Sequence, residues 1–238
     1  MRRRNQRRRT NTKLEMLGKK FPNIYSLAGG KGKRLFTESL TGKESFPEET
    51  LIRMNGKVFR EWEPERSKLA AAIMKDISQI GIREGMNVLY LGAAHGYTVS
   101  FISDIIRTGM IFAVEKAPQV VRELILVSAE RKNVAPVLAD AQDFEELGRR
   151  VPLVDFVYQD IAQQNQTEIF TRSCRAFLKP GHFGMLAVKA RSIDVSRKPK
   201  EIFNEVRRTL ERELVVVDYR YLDPFEKDHC LFVCKKRN

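Results

Sequence analysis

The 238-residue chain contains no long apolar run and only three cysteines. No uninterrupted apolar segment approaches the roughly 18 residues that span a bilayer, and no apolar signal-peptide core follows the basic start. We therefore expect an intracellular protein without a membrane segment. Cys174, Cys230 and Cys234 form no C-x-x-C pair and have no histidine at a zinc-like spacing. This predicts free thiols rather than disulfides or a metal site.

The chain does contain a strand–loop–helix–strand unit. The apolar strand Asn87–Leu91 runs directly into Gly92, and Gly96 closes a tight loop before a helix with apolar residues at helical spacing. The next strand, Met110–Val114, ends in Glu115, an acid that can accept hydrogen bonds from both hydroxyls of a ribose. The unit is typical of a nucleoside-cofactor site on a doubly wound sheet.

The glycine loop favours one class of cofactor. Dinucleotide enzymes prefer G-x-G-x-x-G, in which the middle glycine lets a pyrophosphate approach the helix N-terminus. Here no glycine lies between Gly92 and Gly96, and His95 and Tyr97 add bulk. S-adenosylmethionine has no phosphate, so this looser loop favours it. A dinucleotide, or no cofactor, remains the alternative.

The net charge of +13 is unevenly distributed. Residues 1–20 carry nine lysines and arginines against Glu15 alone, and a segment of this composition cannot bury its charge. We expect a disordered basic tail over residues 1–20, suited to phosphate backbones. A purely solubilising tail would have the same composition.

Two further regions follow the tail. Residues 21–62 contain short mixed segments and glycine-rich turns, including Gly29-Gly30-Lys31-Gly32, which predict a small β-rich domain. Residues 63–238 begin with a helix capped by Ser67 and continue as alternating strands and helices, which predict a parallel sheet covered on both faces. The last two strands are joined too closely for a helical crossover, so we expect them to pair antiparallel.

The predicted fold is therefore α/β: a Rossmann-like, class I methyltransferase sheet of seven strands with the last one antiparallel, preceded by a small N-terminal β-rich domain. The predicted strands of the main sheet are Asn87–Leu91, Met110–Glu115, Ala135–Ala139, Val154–Gln159, His182–Lys189, Leu214–Tyr221 and Cys230–Lys235. The predicted helices between them fall at about 98–107, 118–131, 143–149, 166–178 and 199–212.

Three polar residues are expected at one edge of this sheet, because ligands collect outside the carboxyl ends of parallel strands. Asp160 follows one strand, Lys189 ends the next, and a reversed last strand brings His229 to the same edge. Each also has a structural explanation, as a helix cap, a solvated lysine or a packed histidine. By its position alone, Lys68 is an ordinary helix lysine.

Seven segments carry a family resemblance. They are SKLAAAI (67–73), NVLYLGAAHGYT (87–98), AVEKAP (113–118), LADA (138–141), YQDIAQQNQ (158–166), AVKARSIDV (187–195) and DPFEKDHCLFV (223–233). The chain resembles fibrillarin over about residues 20–236, specifically the compact archaeal fibrillarin-like RNA 2′-O-methyltransferases. The family loop usually resembles GASAGTT or GAASGTT, so His95 and Tyr97 depart from the pattern.

The resemblance implies a Lys-Asp-Lys-His tetrad, which falls on Lys68, Asp160, Lys189 and His229. It also implies contacts with S-adenosylmethionine, beside the loop glycines Gly92 and Gly96, from Tyr97, Thr98, Glu115, Lys116, Asp140, Ala141, Asp160 and Gln163. Lys189 is then the candidate base, and the other three would orient or tune it. No metal is needed, because the sulfonium supplies the electrophile.

The implied function is 2′-O-methylation of ribose in ribosomal RNA, with transfer RNA as a further substrate. A C/D-box guide RNA would pair with the target RNA, and a Nop-type scaffold protein and a kink-turn-binding ribosomal protein would be partners. The long Gly/Arg-rich extension of eukaryotic fibrillarins is absent, so we expect a cytoplasmic protein. Two alternatives stay open: a small-molecule or protein methyltransferase on this fold, and a non-catalytic RNA-binding assembly module.

Overall fold

The computed structural model describes residues 14–29 and 32–238. The expected tail over residues 1–13, and residues 30 and 31 of the expected glycine-rich turn, lie outside the described residues. Within the described ranges, no helix has both the length and the hydropathy of a bilayer span. The strands form two separate sheets.

The N-terminal sheet is antiparallel and has five strands in the order β1-β2-β3-β5-β4. These strands are β1 (Glu15–Met16), β2 (Ile24–Gly29), β3 (Gly32–Glu38), β4 (Leu51–Met54) and β5 (Lys57–Glu61). The pairing of Gly29 with Gly32 confirms the glycine-rich hairpin between β2 and β3.

Ordered structure begins earlier than the expected end of the tail at residue 20. Strand β1 pairs with β2, and the Leu17 amide donates a hydrogen bond to the Ile24 carbonyl at 2.9 Å. Leu17 and Phe21 also pack against the main core. The prediction for residues 14–20 was wrong because the basic composition of the segment masked its apolar side chains.

The main sheet has seven strands in the order β11-β12-β10-β9-β6-β7-β8. The strands are β6 (Val88–Leu91), β7 (Ile111–Glu115), β8 (Val134–Leu138), β9 (Val154–Gln159), β10 (Leu178–Lys189), β11 (Leu214–Tyr221) and β12 (His229–Lys236). β12 pairs antiparallel with both β10 and β11, whereas the pairings among β6 to β10 are parallel. This confirms the predicted fold class and the reversed last strand.

Helices cover both faces of the main sheet. They are α1 (Lys68–Met74), α2 (Tyr97–Ile106), α3 (Pro118–Glu130), α4 (Phe144–Arg150), α5 (Gln166–Phe177), α6 (Ala190–Ile193) and α7 (Pro199–Glu213). Because side chains alternate along a strand, Tyr90 faces the core beneath α1 and α2, and Leu89 and Leu91 face the core beneath α5 and α7. The patterns did not predict β1, β4 or the short α6.

A buried charge network joins the N-terminal sheet to the main sheet. The Arg60 guanidinium on β5 lies 2.7 Å from Asp104 on α2 and 2.6 Å from Glu49. Arg131 approaches the other Asp104 oxygen at 2.6 Å, and the Thr37 hydroxyl donates to Asp104 at 2.8 Å. The side chains of Arg60, Asp104 and Arg131 are fully buried. Two buried carboxylates, those of Asp104 and Glu49, therefore balance two guanidinium groups that have no access to water.

We predict that Asp104→Ala destabilises the protein by about 3–5 kcal/mol, since it leaves the buried guanidinium of Arg131 without its carboxylate partner and Arg60 with Glu49 alone. The measurement is the free energy of unfolding by chemical denaturation. Glu145→Ala is the control, because it removes an exposed ion pair with Arg149 on α4 and should leave stability near that of the wild type. Equal stability of the two variants would contradict the prediction.

Candidate active site

Gly92 sets the close approach of two strand ends. Its φ is +80°, and a Cβ built on it would lie 2.3 Å from the carbonyl oxygen of Asp160. The Asp160 amide in turn donates to the Leu91 carbonyl at 2.9 Å. No side chain fits at position 92, so the loop after β6 and the residue after β9 lie directly against each other.

A cavity of about 280 Å³ opens beside this contact, at the carboxyl ends of β6, β7, β8 and β9. Seven of the predicted cofactor residues line it: Gly92, Glu115, Lys116, Asp140, Ala141, Asp160 and Gln163. The other lining residues, which the sequence analysis missed, are Ala94, Val114, Ala139, Ile161 and Ala162. Their side chains are apolar and so do not suggest a binding site, although their positions beside strand ends are typical of ligand sites. The volume is just below the ~300–1,000 Å³ typical of small-molecule sites.

Glu115 offers a fixed carboxylate at the end of β7. One of its oxygens accepts a hydrogen bond from the Ala94 amide at 3.1 Å. The other accepts from the amides of Lys116 and Ala117 at 2.9 and 3.0 Å. Each carboxylate oxygen has about two acceptor sites, so these three bonds orient the group and leave about one site, on Oε2, for a ribose hydroxyl. The residues fit a nucleoside cofactor at this point.

Polar side chains close the far side of the cavity. An Asp140 carboxylate oxygen accepts from the Gln142 amide at 2.9 Å. The Gln142 side chain donates to the Gln163 side-chain oxygen at 3.2 Å, and Asn165 donates to Gln142 at 2.8 Å. This network joins the loop after β8 to the loop after β9, so both loops keep a fixed relation to the cavity.

Tyr97 is not a lining residue of the cavity. Its ring packs on Phe46 and Phe101, with centroids 5.5 and 5.1 Å apart, and the Arg66 guanidinium lies 4.1 Å from its centroid. The Glu63 amide donates to its hydroxyl at 3.3 Å. Burial raises the pKa of Tyr97 to about 12. A contact from Tyr97 to a cofactor therefore stays a prediction.

Gly96 and Thr98 also lie outside the cavity lining, on the turn and first residues of α2. Gly96 has a φ of +89°, and an added Cβ would lie 2.9 Å from a Leu124 methyl carbon. The Thr98 hydroxyl donates to the Ser67 hydroxyl at 3.0 Å, and Ser67 caps α1 by accepting from the Ala70 amide. The helix that follows the glycine loop therefore positions the first turn of α1.

That turn carries Lys68, and the structure brings it to Asp160. The Lys68 ammonium donates to an Asp160 carboxylate oxygen at 2.9 Å, and both side chains are about one-fifth exposed. Lys189 and His229 are direct partners across the β10–β12 ladder. The Lys189 side chain is exposed and has no ion-pair or hydrogen-bond partner among the described residues. The four predicted tetrad residues thus gather at one sheet edge.

Two members of this group, Lys68 and His229, hold different charge states. Burial lowers the pKa of Lys68, but the charge and hydrogen bond of Asp160, with a smaller effect of Glu226, raise it overall. Burial lowers the pKa of His229 and Lys68 adds to this effect, against the Lys227 carbonyl and the charges of Glu226 and Asp160. At neutral pH Lys68 is therefore a cation and His229 is neutral.

The tautomer of His229 follows from one contact. Its Nδ1 lies 2.7 Å from the Lys227 carbonyl oxygen, which can only accept a hydrogen bond. In the neutral ring Nδ1 therefore carries the proton, and Nε2 keeps its lone pair. The ring is buried, so its orientation is fixed by the turn that precedes β12.

Comparison with known proteins identifies the family. The fibrillarin family model matches residues 16–238. The chain belongs to the fibrillarin family. One fibrillarin relative, the fibrillarin-like rRNA/tRNA 2′-O-methyltransferase of Pyrococcus horikoshii, is 42% identical over 225 residues, which are 94% of this chain and 99% of the relative.

Solved fibrillarin structures show the same architecture. Aeropyrum pernix fibrillarin in complex with natively bound S-adenosyl-L-methionine has a TM-score of 0.82 and 40% identity, and the match covers 89% of this chain and 94% of that one. A chain of a fibrillarin/Nop5p complex has a TM-score of 0.81 and 38% identity, covering 90% of this chain and 97% of that one. The family and the fold predicted from the sequence are confirmed.

We predict that Gly92→Ala abolishes binding at the cavity and destabilises the fold, because the new Cβ would meet the Asp160 carbonyl. Gly148→Ala is the matched control. Gly148 lies inside α4 with nothing within 4 Å of an added Cβ, so alanine there should stabilise the protein by about 0.5–1 kcal/mol. Thermal unfolding and titration with S-adenosylmethionine measure both effects. Similar behaviour of the two variants would rule out the steric argument.

Glu115→Ala should weaken S-adenosylmethionine binding at least about tenfold, since it removes a charged acceptor for the ribose. Tyr97→Phe should leave the dissociation constant nearly unchanged, because its hydroxyl bonds to the Glu63 amide rather than lining the cavity. Isothermal titration calorimetry with S-adenosylmethionine compares the two variants. A larger loss for Tyr97→Phe than for Glu115→Ala would place the cofactor differently.

Proposed function

We propose that this chain is an S-adenosylmethionine-dependent RNA 2′-O-methyltransferase that acts on ribose in ribosomal RNA, with transfer RNA as a second substrate. The observation that carries the proposal is that Asp160 belongs to two parts of the site. It lines the cofactor cavity and also forms the ion pair with Lys68. A methyl donor in the cavity would therefore lie next to the tetrad. The relative from Pyrococcus horikoshii carries the name of this activity.

The cavity residues fit S-adenosylmethionine. Glu115 would accept a hydrogen bond from a ribose hydroxyl, and Asp140, Ala141 and Gln163 would border the base. Asp160 would border the reacting end, because it lines the cavity and also belongs to the tetrad. When bound, this cofactor supplies an electrophilic methyl group on a positively charged sulfur. The natively bound S-adenosyl-L-methionine of Aeropyrum pernix fibrillarin supports the assignment.

The tetrad residues can have different roles in the reaction of a ribose 2′-hydroxyl. Two carboxylates favour the charged form of Lys68, so it acts as a fixed cation rather than a base. Lys189 has no carboxylate partner among the described residues, and in its uncharged form it accepts the hydroxyl proton. His229 keeps a lone pair on Nε2 for a hydrogen bond that orients the ribose or Lys189. Positioning of the hydroxyl should supply much of the rate.

In this proposal, partner molecules select the target RNA. The net charge of +13 favours RNA in general but reads no sequence. We propose that a C/D-box guide RNA pairs with the target RNA, and that a Nop-type scaffold and a kink-turn-binding ribosomal protein hold the assembly. The fibrillarin/Nop5p complex supports the scaffold partner. We propose a cytoplasmic location for the assembly.

We predict that Lys189→Ala lowers methyl transfer at least about 100-fold, because it removes the general base. The assay measures transfer from labelled S-adenosylmethionine to a guide-paired RNA in the presence of the scaffold proteins. Lys235→Ala is the matched control, since Lys235 lies on β12 at the opposite end of the sheet from His229 and should retain activity.

A target with a 2′-deoxy nucleotide at the paired position tests the acceptor atom. Loss of transfer with this RNA and with Lys189→Ala would support ribose methylation that uses Lys189. Continued transfer to the deoxy target would move the reaction to a base. Assembly and cofactor binding without any transfer would favour a non-catalytic assembly module instead.

A further inference from the structure

A second carboxylate lies beside the tetrad. Glu226 belongs to the turn between β11 and β12, and its Oε2 lies 3.9 Å from Nδ1 of His229. The side chain of Glu226 is 21% exposed, and that of His229 is 10% exposed. The backbone of this turn is held by the Glu226 amide, which donates to the Leu222 carbonyl at 3.1 Å. This backbone bond, which does not involve the carboxylate, holds the turn that places Glu226 beside His229.

The side chain of Glu226 contributes no hydrogen bond to the fold. Over the described part of the chain, no donor lies within hydrogen-bond distance of its carboxylate, whereas Asp160 is bound by Lys68 at 2.9 Å. A half-buried carboxylate without a donor costs solvation energy. Stability alone gives no reason for a carboxylate at this position, so its effect must come from its charge on neighbouring groups.

The neighbouring groups are the titratable members of the site. Lys68 on α1 and Asp160 at the end of β9 are charged neighbours of His229, and the ladder partner of His229 on β10 is Lys189. Tyr158, on β9 below Asp160, is fully buried, and burial followed by nearby negative charges, that of Glu226 included, raises its pKa. Glu226 therefore acts on both the cation and the imidazole of the tetrad.

Building on the proposed function, we propose that Glu226 is a positioning residue for methyl transfer, whose carboxylate, 3.9 Å from Nδ1, orients the ring of His229. The site contains two lysines and must also admit a positively charged sulfur. Asp160 supplies one negative charge to this group, through its contact with Lys68. Glu226 supplies the second negative charge without occupying the cavity, of which it is not a lining residue.

The Glu226 carboxylate shifts the pKa values of two neighbouring groups in the same direction. Glu226 raises the pKa of both Lys68 and His229, although burial still leaves His229 below its ordinary value. Removing the charge should therefore lower both. In Glu226→Gln, His229 should therefore gain its proton at a lower pH than in the wild type.

The first test is an NMR titration of the His229 imidazole in the protein without RNA or cofactor. We expect a lower pKa in Glu226→Gln than in the wild type, and a pKa close to that of the wild type in Glu226→Asp. Asp223→Asn is the matched control, because Asp223 is an exposed carboxylate of the same turn and should leave the titration unchanged. An unchanged pKa in Glu226→Gln would overturn the proposal.

The second test is methyl transfer as a function of pH in the assembled complex. Glu226→Gln should lower the rate about tenfold, less than the loss of a catalytic residue, and shift the part of the profile that follows His229 to lower pH. Glu226→Asp should restore most of the rate. A slower enzyme with an unshifted profile would show a structural role and overturn the proposal. If the wild type transfers no methyl group, the proposed function fails, and the His229 titration still decides whether Glu226 tunes the site.

Discussion

The close approach of Gly92 to the backbone of Asp160 is the constraint on which the site depends. Two strands of a parallel sheet lie at a fixed spacing, but the residues that follow them usually diverge into loops. Here the loop after β6 bends at a positive φ, and an added Cβ would lie 2.3 Å from the Asp160 carbonyl oxygen. The cofactor cavity and the tetrad therefore share one wall, and Asp160 is part of both.

Ion pairs between basic and acidic side chains serve two purposes in this protein, and their degree of burial distinguishes the two. Arg60, Asp104 and Arg131 are fully buried, so their network holds the N-terminal sheet against α2 and cannot exchange protons with a ligand. Lys68 and Asp160 remain about one-fifth exposed at the sheet edge. Their charges stay accessible to a substrate, and their mutual attraction keeps Lys68 cationic.

The N-terminal sheet contributes to the site through contacts rather than through its own chemistry. It packs on α2, the helix that follows the glycine loop. Tyr97 on that helix contacts Phe46 and Arg66, and Thr98 bonds to the cap of α1. A disturbance of the small sheet would therefore reach Lys68 through the first turn of α2. This arrangement also explains why a bulky tyrosine fits the glycine loop: its ring lies under the N-terminal segment.

The sequence by itself determined the order of elements, the reversed last strand and the edge at which the site forms. Hydrophobic periodicity records which face of each strand is buried, and the carboxyl-end rule then placed Asp160, Lys189 and His229 together. Only the family resemblance singled out Lys68. The tertiary structure alone decided that Lys68 pairs with Asp160, that Tyr97 packs on Phe46 and Phe101, and that Glu226 lies beside His229. These contacts join residues far apart in the chain or depend on side-chain direction. Local sequence patterns predict neither long-range contacts nor side-chain direction.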